Sequence, residues 1–179
     1  VMHNNNCDTK GWARNGSMVQ SISGLPIKGC HCFEIEPPSR QNYGYYGGIR
    51  IIEAAMVRFR DYCHEHNLAI DPERCFRITY SSTIPFGCGL GGSSAIARAT
   101  LAALMRFYGI TNKQIPLPVQ ANIILSAETE ELGITAGPQD RVVVVYGGLV
   151  FMDFTVEAYE RNFHRYGDYA KLDAGLLPR

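Results

Sequence analysis

Apolar side chains recur every three or four positions after Gly48, at Ile52, Met56, Phe59 and Cys63, with charged residues largely between them. This period predicts an amphipathic helix of about 18 residues. Three arginines are assigned to its solvated face: Arg50, Arg58 and Arg60.

The pattern changes to strict alternation from Phe76 to Ile84, which predicts a strand ended by Pro85. Residues 87–92 contain four glycines and are not expected to form a regular element. The run 93–105 is rich in alanine and leucine and predicts a helix. Ser93 or a neighbour is expected to cap its start, and Gly109 to end it.

Residues 118–131 predict a further helix, opened by a proline and closed at Gly133. Four consecutive valines, residues 142–145, favour a strand by propensity alone. Residues 1–42 show no sustained period and leave room for a strand or two. Residues 155–179 are polar and aromatic, and no element is assigned there.

Composition narrows the class of protein. Hydrophobic residues make up 46% and charged residues 19% of the 179 residues, which is typical of one globular domain. The 17 basic and 17 acidic side chains balance, so bulk electrostatics favour neither nucleic acid nor an anionic membrane as a partner. No apolar run approaches the ~20 residues that span a bilayer. We therefore expect a soluble, cytoplasmic protein, whose oligomeric state the sequence does not determine.

Six cysteines are scattered along the chain, and a chain with this many apolar residues does not require disulfides to form a core. We predict free thiols in a reducing compartment. One alternative is a zinc site formed by Cys30, His31 and Cys32 with His3 and Cys7 upstream. They lack the second correctly spaced pair of structural zinc sites, so scattered thiols are favoured.

The loop 87–92 leads into a helix start, an arrangement that suits phosphate because unpaired N–H groups there point toward an anion. A Walker loop is excluded because no lysine follows Gly92. Gly87, Gly89 and Gly92 fit a dinucleotide fingerprint, yet residues 95–125 contain no acid to hold the ribose. Glycines that serve tight packing alone are the remaining alternative.

The segment from Pro85 to Ala95 resembles the second motif of the GHMP kinases, the family of galactokinase, homoserine kinase and mevalonate kinase. The resemblance implies that its backbone and side chains bind the nucleotide of ATP. In ungapped register, Ser93 falls on the serine that this family uses at Mg²⁺ and the phosphates. The implied nucleotide-binding residues are Pro85, Gly87, Gly89, Leu90, Gly91, Gly92, Ser93, Ser94 and Ala95.

A second match lies downstream, where Ala127, Glu128, Gly133, Gly137 and Asp140 reproduce the family spacing. The resemblance implies that Glu128 ligates Mg²⁺ together with Ser93. It also implies that Asp140 faces the substrate hydroxyl. Phosphoryl transfer needs a cation on the phosphates and a carboxylate at the attacking oxygen, so the two motifs complement each other. Taken alone, Glu128 is read as a surface residue and Asp140 as a helix cap.

The family resemblance also implies a fold. We expect an α+β, two-layer domain, the GHMP kinase N-terminal domain of the ribosomal protein S5 domain 2-like type, incomplete in this chain. Its core is expected at residues 43–154, after a segment 1–42 without a family match and before 155–179, the start of a connection to a C-terminal domain. The resemblance overrides the valine propensity and implies a helix at 140–146 and a strand at 149–154.

A narrower resemblance, over roughly residues 43–154, is to the plant-type glucuronokinases, and Gln139, Asp140 and Arg141 carry much of it. It implies ATP- and Mg²⁺-dependent phosphorylation of the anomeric hydroxyl of D-glucuronate, feeding UDP-glucuronate synthesis. Arg141 is assigned to the catalytic group as a partner of Asp140 or of an anionic substrate, with a structural ion pair as the alternative.

The first and third family motifs have no counterpart in these residues, so we expect an internal fragment that turns over nothing alone. Two other functions stay open. One is a different GHMP kinase, acting on galactose, fucose or mevalonate. The other is a catalytically silent nucleotide-binding relative, which the retention of Ser93, Glu128 and Asp140 disfavours.

Overall fold

The structure is a computed structural model that describes residues 2–3, 19–21, 31–35, 48–71, 76–80, 84–85, 88–173 and 175. Before residue 50, the description covers the backbone alone. Gly87, and the cysteines at positions 7, 30 and 75, lie outside the described residues, as does the side chain of Cys32. The zinc alternative near His31 therefore receives no test.

Four strands form a mixed sheet in the order β1, β4, β3, β2. They are β1 (Met2–His3), β2 (Val19–Ser21), β3 (His31–Ile35) and β4 (Phe76–Tyr80). β3 and β4 run parallel, and the other two pairings are antiparallel. A parallel pair needs a crossover, which helix α1 (Gly48–Glu65) supplies between these strands. The predicted α+β class is confirmed.

One hydrophobic core joins the helices to this sheet. It collects Ile52, Met56 and Phe59 of α1 with Phe76 and Ile78 of β4. Helix α2 (Gly92–Tyr108) adds its alanine and leucine face, because α1 packs against α2 along their lengths. α3 (Leu117–Ser126) and α4 (Gln139–Tyr146) complete the helical layer over the same core.

The remaining elements form a smaller unit. β5 (Val150–Asp153) and β6 (Asp168–Lys171) pair as an antiparallel ribbon, with α5 (Val156–Arg161) between them. The sequence analysis assigned no element after residue 154, so α5 and β6 were missed. Their apolar residues are few and irregularly spaced, and β6 is defined by its pairing with β5 rather than by a period of its own.

The helix predictions after residue 48 are confirmed in position. α1 spans the predicted 18 residues, and Gly109 ends α2 with a left-handed φ of 71°. The predicted helix 118–131 is present as α3 followed by a π-helical turn, Ala127–Glu131. The valine run lies in α4 and the following strand is β5, as the family resemblance implied.

Two local predictions are wrong. The described strand β4 covers Phe76–Tyr80, residues 81–83 lie outside the described residues, and Ile84 is not in a strand. Ser93 does not cap α2: its N-cap is Gly91, and no described side chain makes a capping hydrogen bond there. A left-handed Gly91, with φ of 64°, turns the chain into the helix by backbone geometry instead.

Candidate active site

The glycine loop, residues 87–92, is described from Cys88 onward and enters α2 through two left-handed glycines. Gly89 has φ of 68° and Gly91 has φ of 64°, conformations that side chains with a Cβ rarely adopt. The exposed Leu90 stands between them. The first helical bond runs from the Ala95 N–H to the Gly91 carbonyl, so the N–H groups before Ala95 have no acceptor within the helix. This end of α2 therefore presents N–H donors and the positive end of a helix dipole.

The two serines of the motif occupy different environments in the first turn of α2. Ser93 is partly exposed, whereas Ser94 is fully buried. The Ser94 hydroxyl oxygen has no hydrogen-bond partner among the described residues. A buried hydroxyl without a partner is costly, and such a group commonly marks a site completed by something else. Ser94 is thus a second candidate beside Ser93 for contact with a bound group.

The acidic turn, Ala127–Glu131, extends α3 by one wider turn and carries Glu128 inward. π-Helical turns inside helices occur frequently at functional sites, because the extra residue redirects the side chains that follow. The Thr129 hydroxyl donates to the Leu125 carbonyl at 3.1 Å, and the Ile134 N–H donates to the Glu128 carbonyl at 2.9 Å. The Glu128 side chain is 1% exposed, so the surface reading of this residue is wrong.

Arg58 holds the outer side of the acidic turn from α1. Its Nε donates to the Ser126 hydroxyl at 3.1 Å, and its Nη2 lies 2.9 Å from Glu130 Oε2. A longer contact of 3.5 Å joins it to Glu131. The assignment of Arg58 to a solvated face is therefore wrong. Its partners lie about seventy positions downstream, and the periodicity that predicted α1 contains no information about them.

Arg141 holds the inner side of the same turn. Its Nη2 forms an ion pair with Glu128 Oε2, with both side chains almost completely buried. Its Nη1 donates to the Gly137 carbonyl at 2.9 Å and lies 3.7 Å from Asp140 Oδ2. Burial lowers the pKa of Arg141, although a guanidinium stays charged at neutral pH. The guanidinium thus stands between Glu128, the predicted metal ligand, and Asp140, the predicted catalytic acid.

Asp140 lies where α4 meets the glycine loop. Its side chain is 58% exposed, and a Cβ built on Gly91 would stand 3.8 Å from its Cγ and Oδ2. Asp140 belongs to the first turn of α4 but does not cap it, since the N-cap is Pro138. The structure therefore connects Glu128 to Arg141, Arg141 to Asp140, and Asp140 to the start of α2. Glu128, Asp140 and the start of α2 are thereby gathered into one region.

The other predicted nucleotide-binding residues flank this region. Pro85 is exposed and precedes the loop; Gly92 opens α2, and Ala95 closes its first turn. Gly87 lies outside the described residues. Sequence reasoning missed the burial of Ser94 and the contacts of Arg58. The sequence does not show which of the two adjacent serines is buried, because this depends on the residue at which the helix starts.

The arrangement suits a nucleotide with a divalent cation. Within the described ranges, no group of three histidine, cysteine, aspartate or glutamate side chains comes together. Magnesium in phosphoryl-transfer sites is usually held by one or two carboxylates and by substrate phosphates. Both Glu128 oxygens lack hydrogen-bond donors among the described residues, the Arg141 ion pair apart. A buried carboxylate with unused lone pairs, linked through Arg141 and Asp140 to a helix start, fits that donor set.

Residues 50–148 match the family described as "GHMP kinases N terminal domain". Because this match covers more than half of the chain, the chain belongs to that family, as predicted. No solved structure matches it. In the described part of the chain, no helix has the length and apolar character to cross a membrane.

Two plant relatives are similar over most of the chain. "Glucuronokinase 1" of Arabidopsis thaliana is 47% identical over 138 residues, and "Probable glucuronokinase 2" of the same plant is 45% identical over 139 residues. Each alignment covers 77% of this chain and 37% of the relative. "D-glycero-alpha-D-manno-heptose 7-phosphate kinase" of Campylobacter jejuni is 34% identical over 76 residues, 42% of this chain and 21% of its own length. The chain thus spans little more than a third of the plant relatives.

Proposed function

We propose that this chain forms the nucleotide-binding core of a kinase that uses ATP and Mg²⁺ to phosphorylate the anomeric hydroxyl of D-glucuronate. The observation that carries the proposal is the approach of Asp140 to the left-handed Gly91 at the start of α2, where an added Cβ would stand 3.8 Å from the carboxylate. It brings a candidate base to a candidate phosphate cradle. The choice of glucuronate rests on the 47% identity to "Glucuronokinase 1".

The proposed roles follow from the chemistry of each group. The backbone N–H groups from Gly89 to Ser94 bind the phosphates, and Asp140 accepts the proton of the attacking hydroxyl. Ser93 and Glu128 would hold a magnesium ion, which would supply positive charge to offset that of the transferring phosphoryl group. Asp140 suits its role because it is exposed beside the loop, whereas Glu128 is buried. The kinase core is proposed at residues 43–154, and the compartment as the cytosol, where UDP-glucuronate synthesis would use the product.

Coupled ADP release by the full-length product of the gene tests this function. The panel contains D-glucuronate, D-galactose, L-fucose and mevalonate, each with ATP and Mg²⁺. We expect turnover with glucuronate to exceed the others by at least about tenfold, because galactose and fucose lack the carboxylate and mevalonate lacks the ring hydroxyls that the site would bind. Product analysis should locate the phosphate on the anomeric oxygen.

Two results would change the assignment. Preferential turnover of galactose, fucose or mevalonate would keep the kinase and replace its substrate. Tight ATP binding with no turnover of any compound would favour the silent nucleotide-binding relative. The retained pair of acids supports the enzyme, because nucleotide binding alone makes no use of a carboxylate placed for proton transfer.

A further inference from the structure

We propose that Arg141 is an exchangeable counter-ion, a positioning residue that neutralises Glu128 until a divalent cation takes its place and then pairs with Asp140. This deepens the proposed function and rests on its placement of the cation at Glu128. It gives Arg141 a role distinct from direct contact with the sugar.

Arg141 cannot fully neutralise Glu128 and Asp140 at the same time. One guanidinium faces two carboxylates, of which Glu128 is 1% and Asp140 58% exposed. A buried carboxylate without a counter-charge is strongly destabilising, so Arg141 pairs with the buried acid when no cation is present. Asp140 tolerates the incomplete pairing because water reaches it.

The ion pair is also incompletely satisfied. Apart from the contact of Glu128 Oε2 with Arg141 Nη2, the oxygens of Glu128 and the Nε of Arg141 are buried without hydrogen-bond partners among the described residues. A permanent buried ion pair is usually stabilised by further hydrogen bonds to both partners. Here the carboxylate keeps lone pairs that a cation can use, and nothing described besides Arg141 competes for them.

The geometry allows Arg141 to change its carboxylate partner through a small movement. Nη1 donates to the Gly137 carbonyl at 2.9 Å, while the same nitrogen lies 3.7 Å from Asp140 Oδ2. Gly137 therefore anchors the guanidinium on the side of Asp140. Like charges repel, so a cation arriving at Glu128 favours the Asp140 pairing. The exchange would orient Asp140 only after the site has been loaded.

Burial argues against Arg141 as a direct substrate ligand. Its side chain is 8% exposed, and the exposed group in this region is Asp140. A sugar carboxylate would have to enter beside Glu128, which repels it. The alternative is a fixed structural pair that never releases Glu128, and the two predict different effects of a cation on stability.

The test is a thermal unfolding cycle on the full chain, comparing wild type, Arg141→Met, Glu128→Gln and the double variant, without nucleotide. Arg141→Met should lower Tm by about 10 °C, because Glu128 is left buried and unpaired. Adding about 10 mM Mg²⁺ should raise the Tm of this variant by about 4 °C and that of wild type much less, because Arg141 competes in wild type alone. The double variant should not respond.

Controls and contrary results are defined within the same cycle. Arg60→Met removes an arginine that pairs with its neighbour Asp61, and its Mg²⁺ response should equal that of wild type. An equal response in wild type and Arg141→Met, or a response that survives in the double variant, overturns the exchange. If Arg141→Met does not fold, Arg141→Gln, which is also neutral but can still donate a hydrogen bond to Glu128, replaces it. Mn²⁺ affinity measured by electron paramagnetic resonance should then be several-fold tighter than in wild type, and equal affinity is the negative result.

The exchange and the proposed function fail separately. An active glucuronate kinase whose variants show no cation-linked stability refutes the exchange and leaves the function intact. Cation-linked stability in a protein that turns over no sugar refutes the function and leaves the exchange as a property of the site.

Discussion

The glycine loop and the acidic turn face the same region but are held in place by different means. In the loop, Gly89 and Gly91 adopt left-handed conformations, and their exposed neighbours Cys88 and Leu90 contribute little to the core. The acidic turn is fixed by side chains from other helices, Arg58 on α1 and Arg141 on α4. The loop is therefore encoded locally by residue type, whereas the turn depends on tertiary contacts.

The largest expected effect comes from Asp140, where the two regions meet. Asp140→Asn should lower the rate of glucuronate phosphorylation by about 10³-fold, because it removes the proposed base while keeping the shape of the side chain. ATP affinity, measured by calorimetry on the same protein, should stay within about twofold. An unchanged rate would remove Asp140 from the mechanism.

Breaking the outer support of the acidic turn should give the next largest effect. Arg58→Ala removes a hydrogen bond and two partly exposed ion pairs, and we expect the free energy of unfolding to fall by about 1 to 2 kcal/mol. Urea denaturation measures this change. Loosening the turn should also lower kcat, because Glu128 lies within it.

Arg60→Ala is the matched control for Arg58→Ala, two residues along the same helix. Arg60 pairs with its neighbour Asp61, so this variant should change the free energy of unfolding by about 0.5 kcal/mol or less. Equal losses in the two variants would show that the arginines act through α1 itself rather than through the acidic turn.

The glycine loop should respond to backbone conformation instead. Gly91→Ala forces a Cβ into the left-handed region at φ of 64° and should cost about 1 to 2 kcal/mol of unfolding free energy. Gly92→Ala is the control: it lies inside α2, and its Cβ would meet Ile84 Cγ2 at an ordinary 3.5 Å. That variant should be neutral or stabilising by about 0.5 kcal/mol. A greater loss for Gly92→Ala would contradict the assignment of Gly91 as the turning residue.

The smallest effect concerns two thiols, Cys88 in the loop and the fully buried Cys63 under the helical layer. Burial raises the pKa of Cys63 from 9.0 to about 12. Because the folded form holds this proton more tightly, its contribution to stability is complete below about pH 9 and is lost as pH rises toward 12. Native-state alkylation followed by peptide mass mapping should label Cys88 rapidly and Cys63 only on unfolding. Equal labelling would contradict the burial of Cys63.

The secondary structure could be predicted wherever one period dominates. The apolar repeat predicted α1, and the alanine-rich run that ends at Gly109 predicted α2. The π-helical turn could not be predicted, because residues 127–131 suit an ordinary helix equally well. β6 was missed since its pairing with β5 across α5 supplies its stability. The helix at the valine run followed from the family resemblance and contradicted propensity.

The sequence proposed residues for the candidate site but not the contacts that they make. Motif spacing identified Ser93, Glu128 and Asp140, and their proposed roles await the experiments above. The contacts of Arg58 with the acidic turn and the burial of Ser94 were beyond reach, because neither leaves a local pattern in the chain.

The amino-acid sequence by itself determined where the chain turns and which family it belongs to, because glycine conformation and motif spacing are local properties. The tertiary structure alone decided which charges meet. Arg141 reaches Glu128 rather than only its neighbour Asp140, because the π-helical turn and the packing of α4 against α3 bring these two buried side chains together. The electrostatics of the proposed site therefore depend on helices α1, α3 and α4, which come together only when the chain folds.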